Sequence, residues 1–198
     1  MKYPKTLEDL IFFYNQLPGI GEKSAERMAL ATLKMEKEQL KQFGETIGKL
    51  EETIKKCKQC NNIAEKDLCL VCSDQERNKK IICVVEDVKK VIMIEKIGKY
   101  NGLYYVLEDS ISPLKGMDKV DLIINPLIKR LKEERTEELM FALKLSIEGE
   151  TTIAYIQKLL DGEKIVITKI AQGIPHGVDI EYIDSLTLER AIDERKTI

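Results

Sequence analysis

The sequence predicts a multi-part chain of mixed α+β and α/β class. A helical N-terminal region folds about a glycine hairpin, a small four-cysteine motif follows, then an α/β domain with a mostly parallel sheet and a short C-terminal segment. Three observations carry this. Helical periodicity runs through residues 6 to 54, two Cys-x-x-Cys pairs come next, and strand-like apolar runs then alternate with helical ones. With 43% apolar and 33% charged residues the composition is that of a globular protein, which excludes a disordered chain. Its 32 basic and 34 acidic side chains leave a net charge of -2, so any contact with nucleic acid has to come from locally sorted charge.

Residues 6 to 16 place Leu7, Leu10, Ile11 and Tyr14 at helical spacing, with Thr6 as the expected cap and Glu8 and Asp9 in the first turn. Pro18-Gly19-Ile20-Gly21 breaks that helix. EKSAERMALATLKM then resumes with strong helix formers and a stripe at Ala25, Met28, Ala29 and Leu33. Leu40, Phe43, Ile47, Leu50 and Ile54 step by three and four, the apolar seam of a longer helix. Beyond the cysteines, IICVVE (81 to 86), YYVL (104 to 107), LMFAL (139 to 143) and KIVITKI (164 to 170) read as strands. Helical runs at 87 to 98, about 121 to 134 and 149 to 160 separate them, which favours a parallel sheet flanked by helices. QGIPHGVDIEYIDS is loop-rich, and LTLERAIDER closes as a short amphipathic helix.

Cys57-Lys-Gln-Cys60 and Cys69-Leu-Val-Cys72 supply two thiolate pairs, the pattern of a tetrahedral Zn²⁺ site. Four sulfurs close the coordination shell, so the metal is expected to be structural, one ion per chain. Four thiolates on a dication leave a net charge of -2, which offsets much of the excess of seven basic over four acidic side chains in residues 53 to 80. Cys83, inside the IICVV run, reads as an ordinary core residue. No signal-peptide h-region and no apolar run of membrane-spanning length is seen, so a cytoplasmic protein with reduced cysteines is expected.

Leu17-Pro-Gly-Ile-Gly-Glu-Lys-Ser-Ala25 looks like a helix-hairpin-helix, a unit that grips a DNA backbone without reading bases. Glycines free a helix N-terminus of side chains so that a phosphate can approach its amides. The candidate DNA-binding residues are Gly19, Gly21, Lys23 and Arg27, the two cations making binding salt-dependent. A plain hairpin used for packing or dimerisation is the alternative. A P-loop and a dinucleotide fingerprint both fail on spacing. Glu86 ends the first strand of the α/β region and Glu148-Gly149-Glu150 opens a helix, so three carboxylates can meet at the strands' carboxyl ends, where Mg²⁺ sites form. That arrangement resembles Toprim domains of topoisomerases and primases. The alternative is simple helix-dipole charge at residues 148 and 150. His176, between Pro175 and Gly177, has no nucleophile near it and reads as surface.

In order, LPGIGEKSAERMA, CKQC with LCLVCS, ICVVE, SIEGETTIAYI and IAQGIPHGVDIEY resemble the RecR family over essentially the whole chain, and the ISPLKG segment at 111 to 116 agrees. The resemblance implies a helical helix-hairpin-helix domain (1–52), a four-cysteine zinc motif (53–77), a Toprim-like α/β domain (78–172) and a C-terminal interaction segment (173–198) that packs on a neighbouring subunit. It further implies dimers and tetrameric rings able to encircle DNA, nucleoid-associated in the cytoplasm. Such proteins are mediators and not enzymes. With RecO, and often RecF, they displace single-strand binding protein and seed RecA on gapped DNA.

Two departures stand out. Most relatives carry Asn-Pro shortly before the Glu-Gly-Glu motif, where this chain has Lys144-Leu145, and the C-terminal run reads Ala171-Gln172-Gly173-Ile174-Pro175 in place of the usual His- and Gly-rich form. A Lys144 ammonium near Glu148 and Glu150 is expected to compete with Mg²⁺, which makes Mg²⁺ a doubtful cofactor. Two other functional classes stay open on the sequence: a small Toprim phosphotransferase using Glu86, Glu148 and Glu150, and a zinc-stabilised protein-interaction module with no DNA affinity.

Overall fold

A computed structural model describes residues 3–108, 117–171, 173–193 and 195; the ISPLKG segment and Gln172 fall outside them. The chain divides into two compact units, Met1–Ile54 and Lys55–Ile198. In the first, α1 (Lys5–Asn15) packs Leu7 on α2 (Glu22–Thr32), whose small inward residues Ala25, Ala29 and Thr32 allow close approach. The Thr32 hydroxyl lies 2.8 Å from that of Tyr14 and donates to Met28 O at 2.9 Å. Two expectations need correction. The cap of α1 is Pro4, not Thr6: its carbonyl accepts from the Leu7 and Glu8 amides at 2.9 and 3.1 Å, so Thr6 lies inside the first turn. Leu33, expected in the apolar stripe, stands at the end of α2 and is 63% exposed, the inward position there being filled by Thr32. The predicted long helix is α3 (Lys37–Thr53), and none of its residues is buried.

The second unit opens with a two-residue-wide antiparallel ribbon, β1 (Lys55–Lys56) and β2 (Ile63–Ala64), and a single turn, α4 (Leu70–Ser73). The elements β3 (Asn78–Val85), α5 (Val88–Ile97), β4 (Gly102–Val106), α6 (Met117–Glu133), β5 (Glu138–Ala142), α7 (Ile147–Leu159) and β6 (Val166–Lys169) follow. A 3₁₀ turn at Ile180–Tyr182 and α8 (Ser185–Asp193) complete the unit. The four strands form one parallel sheet in the order β4-β3-β5-β6, with Val84 facing Tyr105 on one side and Phe141 on the other.

Every residue of β4 and the last four of β3 are buried, the continuous apolar run of a sheet covered on both faces. Ile124, Leu127 and Leu131 of α6 and Ile156 of α7 pack into the core that these strands share with all four paired cysteines. Strand β3 begins three residues before the predicted apolar run, because Asn78 pairs with Gly102 and its amide bonds Asn101 O at 2.8 Å. Cross-strand pairing sets that boundary, and periodicity does not see it. Helix α5 is capped by Asp87, whose side chain accepts from the Lys90 amide, and ends on Gly98 at φ +67°, a left-handed position that favours glycine. Among the described residues no helix is long and apolar enough to cross a membrane.

Arg77, just before β3, grips both oxygens of Glu95 on α5, and the Tyr104 hydroxyl donates to Glu95 Oε1 at 2.7 Å. The Arg77 guanidinium holds the Glu95 carboxyl below its ordinary range. A lowered carboxylate stabilises the fold above about pH 4 and loses that contribution as pH falls through its folded value. Glu95→Gln is therefore expected to lower unfolding stability by about 1.5–3 kcal/mol at neutral pH. The gap from the unaltered protein, read from urea midpoints, should close in acid.

Candidate nucleic-acid interface and metal centre

The four cysteines come together within residues 57–72. Their sulfurs all lie within 4.8 Å of one another and all four residues are buried. Zinc–sulfur bonds of about 2.3 Å in a tetrahedron need sulfur separations of roughly 3.8 Å, so the cluster fits the ion. The first knuckle is a tight turn in which the Asn61 amide donates to Cys57 O at 3.0 Å and Asn61 adopts φ 60°. The second is α4, where the Cys72 amide donates to Cys69 Sγ at 3.4 Å. The Cys60 and Cys69 sulfurs lie 3.5 Å apart. Cys83 is different: it is fully buried on β3, burial pushes its thiol up to about 12, and it belongs to the core.

The knuckle is also stitched to the sheet. Strand β4 is an edge strand, and its outer side is met by the first Cys-x-x-Cys turn. The Val106 amide donates to Cys60 O at 2.8 Å, and Asn61 Nδ2 donates to Val106 O at 3.1 Å. Backbone groups that would otherwise be open to another strand are satisfied by the metal motif.

In the N-terminal unit, Gly19 sits at φ +82° and Gly21 is the N-cap of α2, with no side chain capping that end. A Cβ at either glycine would meet nothing, so both serve the turn and the open approach to the helix start and not internal packing. Lys23 and Arg27, one turn apart on α2, are exposed and line a shallow depression with Glu26 and Lys34. Amides at the helix start flanked by two cations form an anion-facing surface.

The three candidate carboxylates lie at the carboxyl end of the parallel sheet. Glu86 follows β3 at the point where the chain's strand order reverses between β3 and β5. Its Oε2 accepts from Lys90 Nζ at 2.6 Å, and its Oε1 accepts from the main-chain amide of Lys144. Lys90 Nζ also reaches Ala142 O at 3.4 Å. Glu148 and Glu150 occupy the first turn of α7, capped by Ser146, and the Glu148 carboxyl is lowered first by its own backbone amide and then by Ser146, with Lys144 a lesser influence. Among the described residues the four cysteines form the one cluster of three or more potential metal ligands, and Glu86, Glu148 and Glu150 do not form another.

Family models cover nearly the whole chain: RecR helix-hairpin-helix over residues 7–50, the RecR four-cysteine zinc finger domain over 54–74, Toprim over 80–171 and RecR C-terminal over 173–196. Recombination protein RecR of Staphylococcus saprophyticus is 42% identical over 192 residues, 97% of each chain. Recombination protein RecR of Staphylococcus haemolyticus is 43% identical over 195 residues, 98% of each. The chain belongs to the RecR family.

For this RecR chain the cysteines are therefore a four-cysteine zinc finger suited to a structural zinc ion. The sequence singles out Lys144 near Glu148 and Glu150 and does not reveal the cation that answers Glu86. Lys90, four residues after Glu86, is the charge that touches it, and the i, i+4 spacing was the available clue. His176 is exposed in a turn, as expected. Gly149 has a steric reason to lie between Glu148 and Glu150: a Cβ there would stand 2.2 Å from Lys144 O. Gly149→Ala should thus push the Lys144 segment off Glu86 and lower stability by about 1–3 kcal/mol in urea titration. An unchanged midpoint would contradict that close approach.

Proposed function

We propose that this RecR chain is a recombination mediator: a DNA clamp subunit that, with RecO and often RecF, promotes RecA loading onto gapped single-stranded DNA coated by single-strand binding protein. The observation that carries the proposal is the match to three RecR models and a Toprim model along one chain, joined to the open, cation-flanked start of α2. Lys23 and Arg27 contact backbone phosphate, while Gly19 and Gly21 let the strand approach. The proposed role is not enzymatic. Glu86, the carboxylate at the switch point, already has the Lys90 ammonium and the Lys144 amide as partners, which leaves a poor seat for Mg²⁺.

Self-association into a dimer or tetrameric ring is part of the proposal. Leu40, Phe43, Ile47, Leu50 and Ile54 present one seam of α3 at 37–52% exposure, and Phe12 and Phe13 of α1 are more exposed still. A contiguous apolar stripe of this kind suits a protein surface that is covered in the assembled state. The place of action is the cytoplasm, at the nucleoid.

RecA filament nucleation on DNA coated with single-strand binding protein, with RecO present, should be accelerated by this protein. Lys23→Ala combined with Arg27→Ala should abolish the acceleration and lower the salt dependence of DNA binding by about one unit of slope per cation removed. Zinc-loaded, folded protein that fails to accelerate nucleation would overturn the mediator role. Nicking of supercoiled plasmid that needs Mg²⁺ and Glu150 would replace it with a nuclease.

A further inference from the structure

The contacts of Arg130, on α6, single it out near the metal centre. It is only 6% exposed, although nothing in its sequence surroundings marks it from the neighbouring cations of α6. Its Nη1 donates to Gln59 O at 3.1 Å and to Tyr104 O at 3.0 Å, and its Nε donates to Glu134 Oε1 at 3.0 Å. Gln59 lies between the ligand pair Cys57 and Cys60, while Tyr104 lies on the edge strand two residues before Val106, the residue bonded to Cys60 O. One guanidinium therefore spans the seam between knuckle and sheet.

We propose that Arg130 is the outer-sphere partner of the zinc tetrathiolate, clasping the first knuckle to β4 and placing a buried positive charge beside the site. A zinc ion with four thiolates is a dianion in a low-dielectric pocket, and such a charge is costly unless a counter-charge is close. The guanidinium stands beside the site, because the Gln59 carbonyl it binds belongs to the turn that carries Cys57 and Cys60. Glu134 binds the Nε edge of the guanidinium, while Nη1 is the edge turned toward the knuckle and β4. A buried cation lowers the energy of the sulfur lone pairs, which slows their protonation and oxidation and retains the metal.

The test uses the full-length protein loaded with zinc, and in parallel with Co²⁺, comparing Arg130→Met and Arg130→Lys. The methionine variant keeps much of the bulk without the charge. It should release zinc to a colorimetric chelator, with or without peroxide, about 10–100-fold faster. Its sulfur-to-cobalt charge-transfer band should move to lower energy, a change that loss of packing alone would not produce. The lysine variant keeps the charge but has no planar fork for two carbonyls, so its band should stay in place while release rises several-fold. Unaltered release and an unaltered band in Arg130→Met would overturn the proposal. Should that variant not fold, Arg130→Lys decides: faster release with an unmoved band supports the assignment, and an unaltered release rate or a shifted band overturns it.

Discussion

The pairing of the first cysteine knuckle with the free edge of β4 is the contact on which the α/β unit depends. A parallel sheet ends on strands whose outer amides and carbonyls need partners, and an uncovered edge invites a foreign strand. Here the Cys60 carbonyl and the Asn61 side chain take the two backbone groups of Val106. Because Cys60 is at once a metal ligand and an edge partner, the ion's coordination and the sheet's lateral closure are one structure. The shared core says the same, since the four cysteines pack in the cluster that contains Val84, Tyr104 and Leu127. A segment as short as residues 54–74 has too little apolar surface to hold this shape alone, and metal binding supplies what burial cannot.

At the same carboxyl end of the strands, where Val85 pairs with Val106, the sheet carries a Toprim switch point fitted with its own cation. Lys90 reaches from the first turn of α5 to Glu86 and to Ala142 O, bridging the ends of β3 and β5. The position where related folds hold a divalent ion is thereby tied together by an internal ammonium. Gly149 belongs to this arrangement, since its missing side chain lets the Lys144 carbonyl pass close and places the Lys144 amide on Glu86.

Much of this was legible in the sequence because its signals are local. Cys57, Cys60, Cys69 and Cys72 announce themselves by spacing, and the Gly19-x-Gly21 turn needs only its own residues to be read. The buried strands were visible as unbroken apolar runs, since both faces of a parallel sheet are covered. What escaped depended on contacts between distant residues. The polar start of β3 is extended by its pairing with Gly102, and Arg130 meets Gln59 only after the sheet has formed. Helix α3 marks a different limit: its apolar seam is plain in the sequence, yet a seam says nothing of what covers it, and within the single chain it stays exposed.

Amide hydrogen exchange at Val106 and Leu107, with zinc bound and after anaerobic chelation, tests the union of metal and sheet edge most directly. The Val106 amide is bonded to Cys60 O, and that of Leu107 is bonded to Val85 O within the sheet. The account predicts that removing zinc raises exchange at Val106 toward the unprotected rate while Leu107 stays slow. Equal protection of both amides in the metal-free protein would contradict it, and would mean that the sheet edge closes without the ion.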